Sequence, residues 1–76
     1  MGRQSNYRPM SAREIVKVLN KNGFIAVRQS GSHRSFYNHR TKKLVVIPIH
    51  KGKDLPAGTV KSIFKQSGLA EKDFQK

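Results

Sequence analysis

The 76-residue sequence predicts a single α+β domain with the element order α-β-β-β-α. Apolar residues recur at helical spacing near both ends of the chain, and three short segments rich in β-forming residues lie between them. Glycine or polar turns separate these segments. Because each helix has one apolar stripe to bury, we expect a three-stranded antiparallel sheet with both helices packed on one face.

The first helix is predicted to begin after Ser11. Ser11 and Glu14, three residues later, form the capping-box pattern that satisfies free N–H groups at a helix start. Apolar residues follow at helical spacing, namely Ala12, Ile15, Val16 and Leu19. Gly23 is expected to end this helix, because glycine readily adopts the left-handed conformation of a helix terminus.

The three strands are predicted at residues 24–29, 33–38 and 44–49. The first two are separated by Ser30-Gly31-Ser32, and the last two by the polar segment 39–43, a suitable length for a hairpin loop. A meander is the simplest arrangement of three strands with such short connections.

The second helix is predicted after a polar loop that covers residues 50–55. Pro56 suits a first helical turn, and Gly68 suits the end. The apolar positions between them include Val60, Ile63 and Phe64, and residues 70–74 are expected to add a turn. With basic residues on this helix, the order resembles the double-stranded RNA-binding domain in outline.

The flanking sequence and the composition set the expected domain limits and location. Residues 1–9 are polar and irregular, which predicts a flexible extension before a single domain at 10–76. The chain has no cysteine and no apolar run long enough to cross a membrane. We therefore expect a cytoplasmic protein without membrane association.

The charge balance points to a polyanionic partner. Sixteen Lys and Arg residues face four acidic residues, which leaves a formal net charge of +12. Most of these cations lack an intramolecular carboxylate, and such a surface binds nucleic acid with release of counterions. A structural, ribosome-associated basic protein is the alternative at this level.

The segment Gly31-Ser32-His33 contains the candidate catalytic group. If Phe36 points into the core, strand alternation places His33, Ser35 and Tyr37 on the opposite, open face. Histidine exchanges protons near neutral pH, so His33 is a candidate general base; the alternative is a histidine that only hydrogen-bonds the turn. Ser32 is predicted to be a turn residue or a phosphate contact rather than a nucleophile, because adjacent strand side chains diverge.

RNA cleavage requires few protein groups, since the ribose 2′-hydroxyl is the nucleophile once a base removes its proton. The sequence lacks the cysteines and paired carboxylates that usually complete a metal site, so we predict metal-independent chemistry and no cofactor. Tyr37, His50, a lysine and water remain open as the second proton-transfer group. The predicted RNA contacts are Arg28, Ser32, Arg34, Lys51, Lys53, Lys61 and Lys65.

Several motifs together resemble the HicA toxin family of toxin-antitoxin systems. They are Lys21-Asn22-Gly23-Phe24, Arg28, Gly31-Ser32-His33, Phe36, Val46-Ile47-Pro48, His50, Gly52-Lys53-Asp54-Leu55, Gly58-Thr59-Val60, Ile63 and Lys65-Gln66-Ser67-Gly68-Leu69. The resemblance spans roughly residues 10 to 74, and the extension at 1–9 departs from it.

The resemblance implies a ribonuclease that cleaves messenger RNA and halts growth, with His33 as its essential residue. It also implies a double-stranded RNA-binding-domain-like fold. The expected partner is a cognate HicB antitoxin, and we expect a monomer when free and a hetero-oligomer with the antitoxin. The alternative function is a non-catalytic module that binds double-stranded RNA.

Overall fold

The computed structural model describes residues 7–49 and 52–69. The predicted α+β class and the three-stranded antiparallel sheet are confirmed. Two short strands that the sequence did not reveal are added. In chain order the elements are β1 (Met10–Ser11), α1 (Ala12–Lys21), β2 (Phe24–Ser30), β3 (His33–Asn38), β4 (Lys43–Pro48), β5 (Asp54–Leu55) and α2 (Ala57–Ser67).

The main sheet is the predicted meander, with strand order β2-β3-β4 and β3 in the centre. The added strands β1 and β5 pair antiparallel with each other in a separate two-stranded sheet, where Met10 lies opposite Leu55. Each is two residues long, so neither leaves a periodic pattern in the sequence. This small sheet joins the start of α1 to the approach to α2.

One face of the main sheet is covered by both helices, as predicted. Helix α1 packs against β2, and α2 packs against β4. The sheet contributes Phe24, Phe36, Val45 and Ile47 to the core, each at most 1% exposed. Residues at helical spacing meet them from the other layer, namely Ile15 and Leu19 from α1 and Val60, Ile63 and Phe64 from α2.

The capping box predicted at the start of α1 is present. The Glu14 backbone N–H donates to Ser11 Oγ at 3.1 Å, and the Ser11 backbone N–H donates to Glu14 Oε1 at 3.0 Å. At the other end Asn22 caps the helix, and Gly23 follows with φ +95°. Both ends of α1 therefore follow from local sequence.

The described part of the predicted extension contacts the core. The ring of Tyr7 lies edge-on to Phe64, with centroids 4.6 Å apart, and it packs against the buried cluster. Residues 1–6 lie outside the described residues. The division into a flexible segment at 1–9 and a domain at 10–76 stays a prediction.

Helix α2 differs slightly from its predicted start and ends as expected. Pro56 is the N-cap rather than a residue of the first turn, and Gly68 is the C-cap with φ 73°. Leu69 packs against the core cluster. The extra turn predicted at residues 70–74 lies outside the described residues. Neither described helix is long and apolar enough to cross a membrane.

Replacing Ser11 with alanine removes the side-chain oxygen that accepts the Glu14 N–H. We expect Ser11→Ala to lower the free energy of unfolding by about 1 kcal/mol, measured by chemical denaturation. Ser62→Ala is the matched control, because Ser62 is exposed in the middle of α2, where alanine favours the helix. Equal losses in the two variants would contradict a capping role for Ser11.

Candidate functional site

The sheet face that points away from the helices is exposed, and we call it the open face. Side chains that share a row across paired strands lie side by side there. From one end of β3 to the other, the open face consists of three such rows: Ser30, His33 and Pro48; Arg28, Ser35 and Val46; and Ile25, Tyr37 and Leu44.

The position of His33 on the open face agrees with the sequence prediction. Phe36 is 1% exposed, so it defines the buried side of β3. His33 is three residues away and therefore points to the opposite side, where it is exposed. Its imidazole is accessible to a long substrate that lies across the sheet.

A tight turn presents His33 at the edge of the open face. Ser30 and His33 are paired, so Gly31 and Ser32 form a two-residue hairpin loop. Gly31 occupies the first central position of this loop and has φ +59°, the positive φ that a type II′ turn requires there. The backbone N–H of Ile49 donates to the Ser32 carbonyl at 2.6 Å, which ties the turn to the end of β4.

A β-bulge brings Arg28 to the same face as His33. The pairing of β2 with β3 shifts between Ala26 and Arg28, so Val27 is an extra residue in β2. Regular alternation from Phe24 would have turned Arg28 towards the helices. With the extra residue Arg28 lies opposite Ser35, diagonally adjacent to His33, and such diagonal neighbours are about 7–8 Å apart.

Arg34, a predicted RNA contact, lies on the face opposite to His33. It pairs with Gln29, and its Nε and Nη2 donate to Gln29 Oε1 at 3.2 and 2.9 Å. Adjacent residues of a strand point to opposite sides, so Arg34 does not share a face with the imidazole. Its phosphate contact stays a prediction, for a surface other than the open face.

The predicted lysine contacts are spread over the molecule. Lys61 and Lys65 are exposed on α2, in the layer on the far side of the sheet from His33. Lys53 and Arg13 line a cavity that also includes Ile49, close to the hairpin turn. His50 and Lys51 lie outside the described residues.

The opposite end of β3 is organised by a buried amide that sequence reasoning missed. Asn38 is 2% exposed, and its Nδ2 donates to the Asn22 carbonyl at 3.0 Å. Its Oδ1 accepts from the backbone N–H of Arg40 at 2.9 Å and of Thr41 at 3.3 Å. One side chain therefore ties the end of α1 to the second hairpin.

Comparison with known families gives one match. The sequence profile of the HicA toxin of bacterial toxin-antitoxin systems matches residues 12–69. The chain belongs to the HicA toxin family. A search of curated proteins gives no match. The matched range includes all three strands of the main sheet and both helices, so the open face belongs to the HicA part of the chain.

The turn in this HicA toxin gives a prediction about position 31. No atom lies within 4 Å of a Cβ built on Gly31, so the cost of a side chain there is the positive φ alone. Gly31→Ala should lower the free energy of unfolding by about 1 kcal/mol in chemical denaturation. Gly58→Ala is the control, because that position is equally open but helical, and it should not lose stability. An unchanged free energy of unfolding in Gly31→Ala would contradict the assigned type II′ turn.

Proposed function

We propose that this HicA toxin is a metal-independent endoribonuclease that cleaves messenger RNA with His33 as its catalytic residue. The observation that carries the proposal is the position of His33, exposed at one end of an open sheet face beside Arg28. A long polyanion can lie across that open face, whereas it could not enter an enclosed cavity.

In the proposed reaction, the His33 imidazole accepts the proton of a ribose 2′-hydroxyl. The 2′-oxygen then attacks the adjacent phosphorus, the bond from phosphorus to the 5′-oxygen breaks, and that oxygen takes up a proton. The products end in a cyclic phosphate and a 5′-hydroxyl. One positioned general base typically contributes about 10²- to 10⁴-fold in rate.

The charges around His33 favour this chemistry. Arg28 is diagonally adjacent on the same face and can contact the phosphate, whose negative charge increases during the attack. No acidic residue occurs between Glu14 and Asp54, so the strands of the main sheet contain no carboxylate. Repulsion of the RNA backbone from the sheet is therefore absent.

The strand geometry excludes Tyr37 as the group that protonates the leaving 5′-oxygen. Tyr37 shares the open face with His33 but lies four residues further along β3, about 13 Å away at the usual rise per residue. The two ends of one phosphodiester group lie much closer together than that. We therefore assign no proton transfer at the scissile phosphate to Tyr37, and His50, a lysine and water remain the candidates for that role.

The proposed reaction does not require a resident metal. Within residues 7–49 and 52–69, no three His, Asp or Glu side chains come close enough to hold an ion. The 2′-hydroxyl supplies the nucleophile, so activation of a metal-bound water is not required.

The antitoxin expected for a HicA toxin is proposed to be an acidic, HicB-like protein that covers the open face. Its negative charge would complement the net charge of +12 and accelerate association. Covering an open site blocks a long substrate completely. We propose a monomer when the toxin is free and a hetero-oligomer when the antitoxin is bound.

The first test replaces His33 with alanine. His33→Ala should lose cleavage of end-labelled messenger RNA by at least about 100-fold while RNA affinity and the thermal unfolding midpoint stay near wild type. Lys17→Ala, an exposed change on α1, is the matched control and should cut normally. A folded His33→Ala protein that cuts at the wild-type rate would refute the assignment. Binding without cleavage by wild type would favour the RNA-binding module instead.

The second test changes the substrate. An RNA with a single 2′-deoxyribose at the mapped cleavage position should resist cutting there, because the proposed nucleophile is missing. Cutting at other positions of the same molecule is the internal control, and a chelator should leave it unchanged. Normal cleavage at the deoxy position would show that the 2′-hydroxyl is not the attacking group.

A further inference from the structure

The open face contains an apolar row that the proposed cleavage chemistry does not use. Tyr37 lies on the central strand, with Ile25 on one side and Leu44 on the other. Ile25 is 49% exposed and Leu44 is 52% exposed, and Val46 in the next row is 36% exposed. These side chains form a continuous apolar surface in a protein with a net charge of +12.

A second ring extends this surface. The imidazole of His39 lies edge-on to Tyr37, with ring centroids 4.9 Å apart. The two rings stand at the end of β3, and the cation established on the same face is Arg28, one row away from Tyr37. Aromatic rings beside a cation are typical of surfaces that bind unpaired nucleotides, since bases stack on the rings and the cation contacts the backbone.

The positive charge of the open face favours a nucleic acid over an uncharged, apolar ligand. Arg28 lies in the row next to Tyr37, and the strands of the main sheet contain no carboxylate to pair with it. A duplex keeps its bases stacked inside the helix and offers the sheet only sugars and phosphates. The apolar row therefore fits unpaired bases better than double-stranded RNA.

We propose that Tyr37, with Ile25 and Leu44 beside it, is a stacking subsite for an unpaired base of a single-stranded RNA. The proposal rests on the proposed function, because it assigns the same face to RNA. His33 lies about 13 Å along β3 from Tyr37, so the stacked base belongs to a nucleotide outside the cleaved bond. The subsite thus selects single-stranded segments and positions them for His33.

The test measures binding in the His33→Ala protein, so that the RNA stays intact. A short fluorescent RNA strand is titrated alone and as a duplex with its complement. The single strand should bind more tightly. Tyr37→Leu should weaken single-strand binding by about 5- to 150-fold and leave duplex binding unchanged, whereas Tyr37→Phe should stay within about twofold of the parent. The salt dependence should not change, because no phosphate contact is removed.

Thermal unfolding of each variant checks that the sheet is intact, and Tyr37→Val, another strand former, replaces Tyr37→Leu if the latter fails to fold. Unchanged single-strand affinity in a folded Tyr37→Leu variant would overturn the proposal, as would equal affinity of the parent for strand and duplex. If Tyr37→Leu weakened binding of the antitoxin but not of RNA, the apolar row would be a protein interface and the proposal would be overturned. This experiment measures binding and not cleavage, so its failure would overturn the stacking subsite alone. A failure of the nuclease proposal would be seen in the cleavage assay with the wild-type protein.

Discussion

The burial of Phe36 is the constraint on which the functional surface depends. Side chains alternate along a strand, so the position of one buried residue decides which face every other residue of β3 occupies. With Phe36 in the core, His33 and Tyr37 must face away from the helices. A register slip of a single residue would bury the imidazole and expose the phenyl ring. The free energy of core packing and the placement of the candidate catalytic group are therefore coupled.

Strand β2 meets the same constraint and resolves it with a bulge. Phe24 at its start belongs to the core and Arg28 lies on the open face, and regular alternation over the four-residue separation would put both on the same face. The extra residue Val27 changes the phase between them. Bulges commonly redirect a side chain next to an active site. In this toxin the bulge puts Arg28 on the same face as His33, one row away, whereas Arg34, adjacent in sequence to His33, lies on the other face.

The open face combines a cation, Arg28, with an exposed apolar row around Tyr37. Cations attract the RNA backbone over a range of several ångströms, without regard to sequence or strandedness. In the proposed function, the apolar row around Tyr37 acts only at contact and only on exposed bases. The positive charge then accelerates the encounter with RNA, and the apolar row selects which segments stay bound. Uncompensated positive charge also destabilises the compact toxin, so an acidic antitoxin would both inhibit and stabilise it.

Local sequence determined the class, the meander, both ends of α1 and the end of α2, because a capping box, strand alternation and left-handed glycines act over a few residues. It also predicted the face of His33 from Phe36. Only the tertiary structure decided which cations join His33: the bulge before Arg28, the pairing of Arg34 with Gln29 and the placing of Lys61 in the helix layer depend on contacts between distant elements. The buried Asn38 belongs to the same group, since its partners lie in a different element and in the following loop.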